Sequence, residues 1–105
     1  MDHQLVLRFP AAAVSDHTAM IRLEAALSRV LDDGAEAFDG HDFSLDEADL
    51  FILCADPART FGRIKPILAQ KGLLNALTAA HGPVEEDAYT VLWPPENLGR
   101  VFACG

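Results

Sequence analysis

The sequence predicts a single α+β domain, an antiparallel sheet covered on one face by two helices. Three observations lead there. The chain has 105 residues, half of them hydrophobic and 23% charged, which suits one globular domain over residues 1–105 and not a disordered chain. Its apolar residues alternate in some stretches and recur every three or four residues in others, the marks of strands and helices. These stretches are ordered strand, helix, strand, strand, helix, strand, an order that folds with the helices gathered on one side of a sheet.

The first strand is "HQLVLRF", in which Leu5, Leu7 and Phe9 point one way and Gln4, Val6 and Arg8 the other; Pro10 ends it. "SDHTAMIRLEAALSRVLDDG" reads as a helix. Ser15 is a good N-cap and Asp16 suits the positive end of the dipole. Met20, Leu23, Leu27 and Val30 or Leu31 form one apolar stripe, and Gly34 supplies the stop. "AEAFDGHDF" is a poorer strand that belongs at an edge. "ADLFILCA" is apolar on both faces, with Leu50, Ile52 and Cys54 on one and Phe51 and Leu53 on the other, so it belongs in the middle of the sheet.

"DPARTFGRIKPILAQKG" opens a second helix with Asp56 as the cap and Pro57 as the first helical residue. Phe61, Ile64 and Leu68 face inward. Pro66 removes an internal hydrogen bond and should kink or re-form the helix, and Gly72 ends it. Residues 73–83 read two ways. Their alanines favour a helix, whereas Thr78 and the His81-Gly82-Pro83 break favour a short strand that forms a hairpin with the last strand. That last strand, "DAYTVLWP", is clear, with Tyr89, Val91 and Trp93 on one face and Ala88, Thr90 and Leu92 on the other. The order βαββαβ points to the split βαβ, or ferredoxin-like, sandwich with strand order 4-1-3-2 and an optional extra C-terminal hairpin strand.

Charge narrows the function classes. The formal net charge is −8, which argues against nucleic acid and anionic membranes as partners. The charge is also unevenly spread. From Val30 to Asp56 there are nine acids and no Lys or Arg, and from Pro57 to Val84 there are four cations and no acid. No apolar run approaches the roughly 20 residues a membrane span needs, and "MDHQLVLRFP" lacks the basic start of a secretory leader. The expected location is the cytoplasm. Cys54 reads as a small buried hydrophobe and Cys104 stands alone near the end, so neither a disulfide framework nor a structural zinc site is expected.

Four features carry the candidate chemistry. Asp39, His41, Asp42, Asp46, Glu47 and Asp49 fall within eleven residues, but without the spacing of a calcium loop, and a polar turn feeding a central strand accounts for them. No metal or cofactor is expected. His3, His17, His41 and His81 sit on separate elements with no nucleophile beside them. Arg59 and Arg63 are four apart on one helical face; a salt bridge to the acidic stretch is their expected use, and with Lys65 they can alternatively clamp an anionic group. The last strand holds the only tyrosine and the only tryptophan. If some of Phe51, Leu53, Tyr89 and Trp93 lie on the sheet face without helices, a partner is expected to cover them.

The segments "ADLFILCADPARTFGRIKPIL" and "EDAYTVLWPPE" resemble a small uncharacterised bacterial family, through the strand, the Asp56-Pro57 helix start, the mid-helix phenylalanine and the closing Trp93-Pro94. The resemblance covers roughly the C-terminal half. It implies a ferredoxin-like sandwich and assigns no activity, so it supplies no catalytic residue. The leading expectation is thus a non-catalytic interaction or dimerisation module that meets a second copy or another protein through its open sheet face. A regulatory domain for a small anionic ligand comes second. An enzyme using His41 or Tyr89 comes last.

Overall fold

A computed structural model describes residues 3–14, 17–31, 36–43, 46–85 and 88–103. Its elements are β1 (His3–Pro10), α1 (His17–Val30), β2 (Glu36–Phe43), β3 (Glu47–Cys54), α2 (Pro57–Gln70), β4 (Thr78–Pro83), β5 (Ala88–Trp93) and β6 (Val101–Ala103), with short 3-10 turns at Ala11–Val14 and Pro95–Asn97. The strands form one six-stranded sheet in the order β2-β3-β1-β4-β5-β6. Every pairing is antiparallel. This is an α+β fold, but the four-strand scheme expected from sequence is incomplete. The strand beside β1 is Thr78–Pro83, and Ala88–Trp93 lies one place further out. The expected extra strand is in fact two.

Period-2 patterning sets the two faces. Leu5, Leu7 and Phe9 of β1, Ala48, Leu50, Ile52 and Cys54 of β3, and Ala79 of β4 are buried against Met20, Leu23 and Leu27 of α1 and Phe61, Ile64 and Leu68 of α2. The helices therefore share one face. The opposite face has a smaller cluster of Val6, Ala80, Tyr89 and Val91, with Phe51 against it. Residues 73–77 form turns and the strand starts at Thr78. The bulk of the neighbours explains why β4 is built of small residues. Ala79 stands opposite Leu7 and Trp93, and Ala80 opposite Val6 and Val91.

The second helix starts as its sequence predicts. Asp56 accepts a hydrogen bond from the Arg59 amide at 3.2 Å, and Pro57 is the first helical residue. The helix continues through Pro66, whose missing donor would have met Gly62; both residues are exposed, so water can serve the spare carbonyl. It ends where Gly72 takes a φ of 71°, with its amide on the Ala69 carbonyl and the Leu73 amide on the Leu68 carbonyl. A side chain there would be strained. The capping roles expected of Ser15, Asp16 and Gly34 at α1 lie outside the described residues, as does Cys104. Among the described residues no helix is long and apolar enough to cross a membrane.

Two glycines make opposite predictions. A Cβ on Gly82 would stand 2.5 Å from the Ala88 carbonyl oxygen and 3.4 Å from the Tyr89 ring, so Gly82→Ala should lower stability by about 1–3 kcal/mol in urea unfolding. A Cβ on Gly62 meets nothing within 4 Å, so Gly62→Ala should raise stability by about 0.8–1 kcal/mol through helix propensity alone.

Candidate functional site

The sheet face without helices is built from alternate residues of β1, β3, β4 and β5. At its centre Val6 and Ala80 are wholly buried, and Tyr89 and Val91 are 5% and 4% exposed. The Tyr89 hydroxyl donates to Gln4 Oε1 at 2.7 Å, which fixes the ring against the sheet. Phe51, opposite Val6, and Leu53, opposite Gln4, remain half-buried. Of the apolar side chains expected there, Phe51 and Leu53 present surface and Tyr89 is largely used inside the chain.

Trp93 does not share that face. The β4–β5 register shifts between Ala79 and Ala80, so that Ala80 faces Val91 while Ala79 faces Trp93. One extra residue, Leu92, lies between the two pairs, and a bulge of this kind turns the next side chain to the other side. Trp93 packs on the helical side. Its indole N–H donates to the Leu74 carbonyl at 3.0 Å, its ring lies 6.2 Å from Phe61, and the Lys65 ammonium sits 4.2 Å above it. The expected grouping of Tyr89, Val91 and Trp93 on one face is corrected accordingly.

The three cations expected to gather around an anion have separate surroundings. Arg59 is exposed on the first turn of α2. Arg63 donates to the Val30 carbonyl at the last residue of α1, where a cation also complements the negative end of the helix. Lys65 covers Trp93.

The acidic stretch divides. The side chains of Asp39 and His41 lie outside the described residues; Asp42 and Asp46 are exposed. Asp49 is buried, and stands opposite Arg8 in the register. The Arg8 Nε and one terminal nitrogen meet the two carboxylate oxygens of Asp49 at 2.9 and 3.0 Å, and Nε also lies 3.0 Å from Glu47. The forked pair occupies the end of the helix-free face, beside a hollow of about 190 Å³ that includes Asp46 and Thr78. Sequence reading passed over Arg8. The signal was a lone cation in one central strand and carboxylates at the start of the other. Among the described residues no group of three His, Cys, Asp or Glu side chains is placed to hold a metal ion.

At the other end of the sheet His3 stands opposite Cys54, and His81 lies opposite Leu5, two residues along β1. Cys54 is wholly buried, which leaves no approach to its sulfur for a substrate. His3 Nδ1 is buried with no hydrogen-bond partner among the described residues. Burial, and after it the charge of His3, holds His81 below the ordinary imidazole value of 6.5.

Comparison with models of known families, with curated proteins and with solved structures finds no match to this chain.

These contacts have measurable consequences. Asp49→Ala removes the forked partner of a guanidinium that is mostly covered and leaves it Glu47, and should cost roughly 1.5–3 kcal/mol in chemical unfolding. Glu47→Ala, whose side chain is 47% exposed, should cost less than about 1 kcal/mol. For His81, the folded state binds its proton less tightly than the unfolded chain does. Its contribution to stability is complete above the unfolded value, about pH 6.5, and is lost as pH falls through the lower folded value. The melting temperature should therefore drop on mild acidification, and His81→Gln should make the drop shallower.

Proposed function

We propose that this chain is a small cytoplasmic, non-catalytic interaction module that dimerises with a second copy through the helix-free sheet face. The reading takes β1 to β4 with α1 and α2 as a ferredoxin-like unit, extended by β5 and β6, and includes kinship with the bacterial family its segments resemble. One observation carries it. Phe51 and Leu53 on β3 stay half-exposed on the face opposite the helices, at the middle of the sheet. Their neighbours across the strands are neutral, Val6 and Gln4 on β1, and beyond them Ala80 and Gly82 on β4.

The occupant is set by charge. At the end of that face Arg8 neutralises part of the charge of Glu47 and Asp49, so two copies can meet there without opposing their like charges at the centre. Nucleic acid and anionic membrane are poor occupants for a chain of net charge −8. The second reading, a regulatory domain holding an anion at Arg59, Arg63 and Lys65, has less support, because Arg63 and Lys65 serve α1 and Trp93.

Sedimentation equilibrium tests the reading. The wild-type chain should dimerise, and Phe51→Ser with Leu53→Ser should weaken the dimer at least about tenfold, since each lost apolar side chain is worth roughly 1.5–3 kcal/mol when fully buried. Trp93→Phe, on the other side of the sheet, should leave the dimer intact. A folded wild-type chain that stays monomeric at its highest soluble concentration would overturn it.

A further inference from the structure

The two helices carry five of the eight basic side chains, Arg22 and Arg29 on α1 and Arg59, Arg63 and Lys65 on α2, and one of the sixteen acids, Glu24. Their local charge is thus +4 (five less one), against −12 for the rest of the chain (three less fifteen). Within this basic layer lies a hollow of about 300 Å³. It opens between the 3-10 turn before α1, the first two turns of α1 and the turn after α2. Ala13, Ala19, Leu23 and Leu73 form its apolar walls, and Arg22 and Lys71 stand at it. Both cations are exposed, and no carboxylate lines the hollow among the described residues.

We propose that this hollow binds a small monocarboxylate with an apolar tail, of the size of a medium-chain fatty acid. The carboxylate bridges the Arg22 guanidinium and the Lys71 ammonium, and the tail lies on Leu23, Leu73 and the two alanines. Each part of the ligand answers a part of the site. In a chain with twice as many acids as bases, two cations at one hollow with no carboxylate among its described lining residues favour an anion, and guanidinium groups suit carboxylates. The positive helical layer adds to the local field. The walls decide the rest. Inorganic phosphate would satisfy the cations but leave the alanines and leucines wet, whereas an alkyl chain removes that surface from water. The hollow is open and has room for a short alkyl chain; octanoate, which joins a carboxylate to such a chain, is the probe that offers both parts.

The site is independent of the proposed dimer face, which lies on the other side of the sheet. Isothermal titration of the full chain with octanoate, octanol and acetate tests it. Octanoate should bind with a Kd below about 1 mM. Octanol, which lacks the charge, and acetate, which lacks the tail, should each bind at least about tenfold more weakly, a difference of about 1.4 kcal/mol. Arg22→Ala and Lys71→Ala change exposed side chains and should keep the melting temperature while weakening octanoate several-fold; Arg22→Lys should restore most of it. Phe51→Ser with Leu53→Ser should leave octanoate binding unchanged, so loss of the dimer and loss of the ligand are told apart. Absence of octanoate binding, equal binding of octanol, or full binding by the folded Arg22→Ala and Lys71→Ala variants would overturn the proposal.

Discussion

β1 is paired along both edges and buried on both faces. Leu5, Val6, Leu7 and Phe9 have no exposed surface, so each backbone group of this stretch must find its partner within the protein. β3 supplies one side and β4 the other. That requirement dictates the topology. β3 and β4 both run antiparallel to β1, hence parallel to each other, and a parallel connection needs a crossover. α2 provides it and passes over the face of β1 in doing so. β2 is likewise parallel to β1 with β3 between them, and α1 makes that crossing. Both helices cross on the same side, which is why one face of the sheet has a thick core and the other a thin one.

Charge is layered in the same way. The helices collect cations, while the described acids other than Glu24 lie outside the two helices. Arg8 and Asp49 are the exception, a forked pair set into the thin side. It is more sheltered than Glu47, so water screens it less. It also pins the register of β1 on β3, since sliding either strand by one residue would send one charge toward the helical core. Arg63 performs a comparable task on the helical side, tying α2 to the last carbonyl of α1.

Much of this architecture was written in residue periodicity. β1, β3, α1 and α2 announce themselves because large apolar residues repeat at periods of two and of three to four. β4 does not, since "TAAHGP" has no bulk; its neighbours fill the space, and only the partners of Ala79, Ala80 and Gly82 show why small residues belong there. Trp93 misleads for another reason. Strict alternation along "YTVLW" assigns Tyr89 and Trp93 to one face, and no local pattern encodes the bulge at Leu92. Arg59 and Arg63 do fall on one helical face, as their spacing requires, but spacing cannot foresee that the end of α1 claims the second of them. Arg22 and Lys71 are 49 residues apart in sequence, so their meeting at one hollow is a property of the fold alone.

The short last strand changes how the sheet ends. Val91 of β5 has both backbone groups engaged by the chain that returns through Gly99 and Arg100, at 3.0 and 2.8 Å, and β6 pairs with Ala88, Tyr89 and Thr90. "AYTVLW" has no charge, proline or glycine, the composition of segments that stack into fibrils when their edge is bare. With β6 in place that edge is only three residues long, and at the other end of the sheet β2 is interrupted by its irregularity between Phe38 and Gly40. β6 therefore acts as insulation. It keeps an uncharged, fibril-prone segment from serving as a template for another.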